Sequence, residues 1–246
     1  MKEQNLEIQA PAGVSEAVFF CPEGQGPWPG VIHLTDIGGI RPSQNQMAQR
    51  LAGEGYAVLM PNVFYRTARL PVMDSATRAS DELRMKRIAE LSAGLPPEAM
   101  EEDADAYVKF LESQESVGKG VMGVVGYCFT GTMAIRTAAA RPGTIAAAAS
   151  FHGGRLCTEA PTSPHLSLPR IKARLYFGHA VNDRSMPQEA IERFNLALDS
   201  WGGKYESEIY EGAYHSWTVP DSPVYNHPQA ERAFKKLQEL LAETLR

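Results

Sequence analysis

The sequence predicts an α/β fold: one domain over residues 1–246, with a mainly parallel sheet and helices on both faces. Short apolar runs alternate with stretches of helical spacing along the whole chain, the pattern of successive strand–helix units. Runs such as 31–35, 121–125 and 145–151 are apolar without alternation, as strands covered on both faces must be. The chain has 246 residues, 43% hydrophobic and 22% charged, with no internal repeat or linker-like tract. That is long enough for one packed core without staples.

In order, residues 6–8 and 16–21 read as two strands joined by the turn Pro11-Ala12-Gly13, whose residues favour reversal. Residues 31–35 form the next strand, and 43–54 a helix stopped by Gly55. Residues 56–60 are a strand closed by Pro61, and 81–91 and 98–115 are helices. The stretch 64–97 carries mixed charges and is a candidate lid. Strands follow at 121–125, 145–151, 173–177 and 205–210, with helices at 130–140, 187–200 and 228–245.

Composition narrows the function classes. Net charge is −5, from 24 basic and 29 acidic residues, which argues against a general nucleic-acid or anionic-membrane binder. No run approaches the ~18 apolar residues of a membrane span, and the first residues lead into no secretory apolar segment. The three cysteines, Cys21, Cys128 and Cys157, form no CxxC, so neither a zinc site nor a disulfide framework is suggested. The expectation is a reduced, cytoplasmic protein.

The strongest chemical signal is Val124-Val125-Gly126-Tyr127-Cys128-Phe129-Thr130-Gly131. An apolar strand runs into Gly-x-Cys, and a small-residue helix follows at once, the context of a nucleophile elbow. A helix start beside a thiol favours the thiolate, the reactive form. Asp183 lies in a polar loop after a strand, with Pro187 at the next helix start, and His215 follows the strand 205–210. Each residue alone has a structural reading: a buried core cysteine, a turn aspartate, a core histidine. Together, in the order Cys, Asp, His and each after a strand, they match the α/β-hydrolase arrangement. Loops at the carboxyl ends of parallel strands converge on one crevice. His215 would then move the proton, Asp183 would fix its tautomer, and the amides of Phe129 and Ile37 would hold the oxyanion.

With these residues in view, the sequence resembles the dienelactone hydrolase family. The match rests on Gly126-Tyr127-Cys128, Asp183 before Pro187, Gly212-Ala213-Tyr214-His215-Ser216-Trp217, and the block from Val31 through Gly55-Tyr56 to Pro61-Asn62. The resemblance implies an α/β-hydrolase fold and a Cys-His-Asp triad hydrolysing lactones or esters, with no metal or organic cofactor. It also implies that a carboxylate before the oxyanion residue modulates the nucleophile, here Asp36. Three departures stand out. The family elbow ends Cys-Leu-Gly-Gly where this chain has Cys128-Phe129-Thr130-Gly131, the carboxylate is Asp rather than Glu, and Val219 stands where the family carries an Arg for a substrate carboxylate.

Phe64, Tyr65, Arg84, His152 and Trp217 are candidates for the substrate pocket. Partners are a small lactone or ester, without nucleic acid or membrane, and the chain is a monomer or homodimer. The competing reading is a non-catalytic binding protein or redox sensor that uses Cys128 as an oxidisable thiol. A sensor needs a resolving cysteine nearby, and no sequence neighbour of Cys128 supplies one.

Overall fold

The chain starts as a hairpin because Gly13 adopts φ +136, a conformation side chains resist, and reverses the chain after Pro11-Ala12. A computed structural model describes all of residues 1–246. By its internal contacts the chain falls into two units, Met1–Lys119 and Gly120–Arg246.

In the first unit, β1 (Lys2–Ala10) pairs antiparallel with β2 (Gly13–Cys21), and β2 pairs antiparallel with β4 (Ala57–Pro61). β3 (Gly30–Leu34) runs parallel to β4, giving the order β1-β2-β4-β3. Both strands of the β3/β4 pair are buried along their whole length, which explains their unbroken apolar sequence. Helix α1 (Pro42–Gly53) links them. The hairpin strands are longer than their apolar cores suggest, because backbone pairing continues through the polar residues of β1.

The candidate lid region holds two helices, α2 (Ser75–Ala79) and α3 (Asp81–Ala93). Asp74 caps α2 by accepting from the Thr77 amide, and Ser80 caps α3 through the Leu83 amide. Helix α4 (Pro97–Ser113) completes the unit and buries Asp103. Arg66 pairs with Asp103, and Tyr65 Oη donates to its Oδ1 at 2.8 Å.

In the second unit every strand pairing is parallel, in the order β5-β6-β7-β8. These strands are β5 (Met122–Tyr127), β6 (Ile145–Phe151), β7 (Arg174–Ala180) and β8 (Tyr205–Tyr210). The alanine run of β6 leaves room for α5 (Gly131–Ala140) to lie close. Helix α6 (Gln188–Trp201) leads to β8, and α7 (His227–Leu245) ends the chain. A 3-10 segment, Pro164–Arg170, precedes β7. On β8, Glu206 meets Arg174 and Lys236, and Glu208 meets Arg232.

The register places four loops at one edge. Tyr127 faces Phe151, Phe151 faces Gly178, and Ala180 faces Tyr210. The carboxyl ends of β5 to β8 are therefore nearly level, as parallel α/β sites require.

The chain turns sharply after β5. A Cβ at Gly126 would lie 2.2 Å from the backbone oxygen of Thr130, so only glycine fits there. Gly126→Ala should therefore destabilise the protein by roughly 1–3 kcal/mol, the range for forced overpacking. Urea unfolding of the variant against wild type measures this, and an unchanged midpoint would show that the turn relaxes.

Candidate active site

Cys128 stands at the turn itself, with φ +57. The sequence predicts a helix starting directly behind it, and the structure differs. A 3-10 turn, Cys128–Thr130, comes first, and α5 starts at Gly131. Thr130 closes that turn: its Oγ1 accepts from the Tyr127 amide and donates to the Tyr127 carbonyl, both at 3.0 Å. Thr130 is thus more than a bulkier replacement for glycine. Its hydroxyl satisfies the two backbone groups where β5 ends. Phe129 occupies the middle of the turn, directly after Cys128.

The structure brings Cys128, His215 and Asp183 into one hydrogen-bonded chain. His215 Nε2 lies 3.0 Å from Cys128 Sγ. His215 Nδ1 donates to Asp183 Oδ2 at 2.6 Å. Asp183 is buried, and its other oxygen accepts from the Ser185 amide at 2.8 Å and the Ser185 hydroxyl at 2.7 Å. Ser185 was not singled out from the sequence, although Asp-x-Ser is a known turn pattern whose side chain bonds two residues on. The loops bend into place through two left-handed residues, Asn182 before Asp183 and Ser216 after His215.

The electrostatics follow from these contacts. Burial raises the Asp183 carboxyl, but the hydrogen bonds from His215 and Ser185 outweigh it and hold the group below its ordinary range. Burial disfavours a charged His215 ring, yet its bonds to Asp183 and Cys128 prevail and push it up to about 10. Both neighbours, a carboxylate and a sulfur, favour the protonated ring.

Trp217 has no exposed surface. It stacks on Tyr210 at 4.9 Å and meets the His152 ring edge-on at 5.0 Å, so it packs as core. His152 is also buried, with Nε2 2.8 Å from Thr218 Oγ1 and its ring 5.2 Å from that of His215. Val219 is buried. In the first unit, Phe64 is fully buried and Tyr65 is spent on Asp103 and the Ala12 amide. Arg84 is about half exposed and pairs with Asp81 one turn back on α3.

Ile37 lies in the turn after β3, closed by the Gly39 amide bonding to the Asp36 carbonyl at 3.0 Å. Asp36 has a partner the sequence did not reveal. Both its oxygens accept from the Arg41 guanidinium, at 2.6 and 2.7 Å, and Oδ1 also accepts from the Gly38 amide. A bidentate pair of this kind fixes the carboxylate firmly. His33 and His179 are buried strand residues bonded to Gln44 and Ser207, and burial lowers each to about 4. No group of three or more His, Cys, Asp or Glu side chains is arranged to hold a metal ion, and no helix is long and apolar enough to cross a membrane.

Two outcomes are expected. Cys21 and Cys157 are buried while Cys128 is partly open, so iodoacetamide should alkylate Cys128 first, and His215→Ala should slow it, as read by peptide mass spectrometry. The second concerns stability. The folded-state value of His215, about 10, exceeds the 6.5 of a free histidine. Its contribution is then complete below about pH 6.5 and is lost as pH rises through about 10. Thermal unfolding of wild type should lose part of its margin across that window, and His215→Ala should flatten the slope.

Comparison with known proteins gives the family of the chain. The dienelactone hydrolase family model matches residues 15–245. A carboxymethylenebutenolidase from Rhodococcus opacus is 27% identical over 209 residues, covering 85% of this chain and 77% of the relative. A carboxymethylenebutenolidase from Pseudomonas putida is 23% identical over 244 residues, covering 98% and 97%. The crystal structure of a dienelactone hydrolase-like promiscuous phosphotriesterase from metagenomic libraries superposes with a TM-score of 0.79 at 20% identity, covering all of this chain and 99% of the other. That likeness is one of fold, the α/β-hydrolase fold. With its family model matched from the second strand to the last helix, this chain belongs to the dienelactone hydrolase family.

Proposed function

We propose that the protein hydrolyses small lactones or esters through Cys128, His215 and Asp183, by way of a covalent acyl-cysteine. The observation that carries this reading is the unbroken chain from Sγ through the imidazole to the buried carboxylate. The names of the relatives support lactones as the substrate class.

In this reading Cys128 Sγ, its proton shared with His215 Nε2, attacks the substrate carbonyl carbon. The carbonyl electron pair moves to oxygen, and the Phe129 amide, beside the nucleophile, donates to that oxyanion. When the tetrahedral intermediate collapses, the C–O bond to the leaving alkoxide breaks and His215 Nε2 gives the alkoxide its proton. For a lactone the alkoxide stays on the acyl group. Water then enters, His215 takes one of its protons, and the hydroxide adds to the thioester. Collapse releases the carboxylic acid and returns Sγ and the proton to the starting pair. Asp183 keeps Nδ1 protonated throughout and offsets the charge on the ring.

The redox-sensor reading gives no role to the Asp183–His215 bond, and it lacks a resolving thiol, since the other two cysteines are buried. Substrate charge follows from what stands after His215. Trp217 and Val219 are buried apolar side chains, and no cation lies in that turn. A charged hydrogen bond to a substrate carboxylate contributes roughly 1.5–3 kcal/mol. Without it, an acidic lactone should lose about 10- to 100-fold in kcat/KM against its methyl ester.

The deciding experiment is a screen of short p-nitrophenyl esters and lactones, with electrospray detection of acyl-Cys128. Cys128→Ala should abolish turnover and acyl adduct together. Activity that survives in Cys128→Ala would remove the thiol from the mechanism. A strong preference for the free acid, lost in Arg84→Ala, would overturn the neutral-substrate expectation.

A further inference from the structure

Of the five non-glycine residues with positive φ, three belong to the proposed reaction: Cys128, Asn182 beside Asp183, and Ser216 beside His215. They follow β5, β7 and β8. A fourth, Arg155, is exposed in a loop. The fifth is His152, with φ +42, directly after β6. Such backbone persists only where the surroundings fix it, and it gathers at working sites. The loop after each strand of this unit thus carries a left-handed residue at or beside the site, and His152 is the one without a role.

Its surroundings are specific. The His152 amide donates to the Gly178 carbonyl at 2.7 Å, tying the loop to β7. The buried ring has one tether, Nε2 to Thr218 Oγ1 at 2.8 Å, while Nδ1 has no partner. Trp217 meets the ring edge-on at 72°, and the His215 ring lies against it at 5.2 Å and 63°. Thr218 and Trp217 are on the same turn as His215, so one short segment clasps the His152 ring and carries the proton-transfer group.

The titratable groups facing His152 are His215 and Asp183, with the Tyr127 ring at 6.1 Å. Burial, followed by the nearby charge of His215, holds His152 well below the ordinary histidine range. Neither His152 nitrogen bonds to His215, which separates its part from proton transfer.

We propose that His152 is a positioning residue for the reaction set out above: its ring, fixed by Thr218 and Trp217, is the wall that holds His215 with Nε2 toward Cys128 Sγ. This rests on the proposed triad. A wall that limits ring rotation keeps both His215 hydrogen bonds short, and well-oriented groups react far faster than loose ones.

The test compares wild type with His152→Asn, Thr218→Val and Cys128→Ala. Asparagine tolerates left-handed backbone, and valine removes only the tether. Folding is checked by circular dichroism, kcat and KM are measured on p-nitrophenyl acetate, and the His215 ring is titrated by NMR. His152→Asn should lower kcat about tenfold, leave KM within twofold, and bring the His215 midpoint down by about one unit as its bonds loosen. Thr218→Val should change both in the same direction, by less. Folded variants with unchanged kcat and midpoint would overturn the proposal. So would a fall in kcat with the midpoint unmoved in both, which is the mark of a merely structural ring. If His152→Asn does not fold, Thr218→Val decides alone. A Cys128→Ala protein that keeps activity defeats the triad and the positioning role with it; an inactive one beside silent His152 and Thr218 variants defeats the positioning role only.

Discussion

The reversal between β5 and α5 is the constraint on which the candidate site depends. It is held by two hydrogen bonds between Thr130 Oγ1 and the ends of Tyr127, and by the missing side chain at Gly126. Left-handed backbone at Cys128 is unfavourable by itself. The turn compensates by giving both polar groups of Tyr127 a partner and by letting the Thr130 carbonyl approach within the space a methyl would fill. Gly131 extends the same economy of space, since a Cβ there would meet Ser150 Oγ at 2.4 Å and the Gly153 Cα at 2.8 Å. A thiol mounted this way is presented at the end of a buried strand with almost no freedom of its own.

The histidine arm is built differently. Its rigidity comes from side chains rather than from the tightness of the backbone. Asp183 is buried and satisfied by Ser185 on one oxygen and His215 on the other. A carboxylate with these partners stays ionised in spite of its burial, and it orients the ring of His215 and favours its protonated form. In this chain the thiol is placed by backbone geometry and the imidazole by electrostatics.

The alternation of apolar runs with helical spacing made nearly every strand and long helix legible, because burial on both sheet faces leaves an uninterrupted apolar record in strands such as β3 and β5. Besides the 3-10 turn at Cys128–Thr130, two elements were not legible. Helix α2 has only five residues and no buried face, so it leaves no periodic signal. The segment Pro164–Arg170 contains two prolines and follows 3-10 rather than α-helical spacing. At the site, Cys128, Asp183 and His215 could be named from residue type, order and context. Ser185 and Thr218 could not. Each acts by a hydrogen bond whose partner depends on how a loop folds, and serine and threonine are too common on surfaces to signal it. The aromatic residues Phe64 and Trp217 show the opposite difficulty. A large ring near a site in sequence packs as core as readily as it lines a pocket.

One last feature lies away from the chemistry. β8 is the outer strand of its sheet, and a strand in that position offers open amides and carbonyls to any other extended chain. Its glutamates alternate along the strand and are clasped by Arg174, Lys236 and Arg232. A second molecule adding a strand here would have to lie alongside these charged side chains. Resistance to self-association at this margin is therefore acid-labile. It lasts while the glutamates stay ionised, and Glu206, held below the ordinary carboxylate range chiefly by Lys236, keeps its charge into more acidic solution than a free glutamate does. Storage or crystallisation in strongly acidic buffer would unmask the margin that the same protein keeps closed at neutrality.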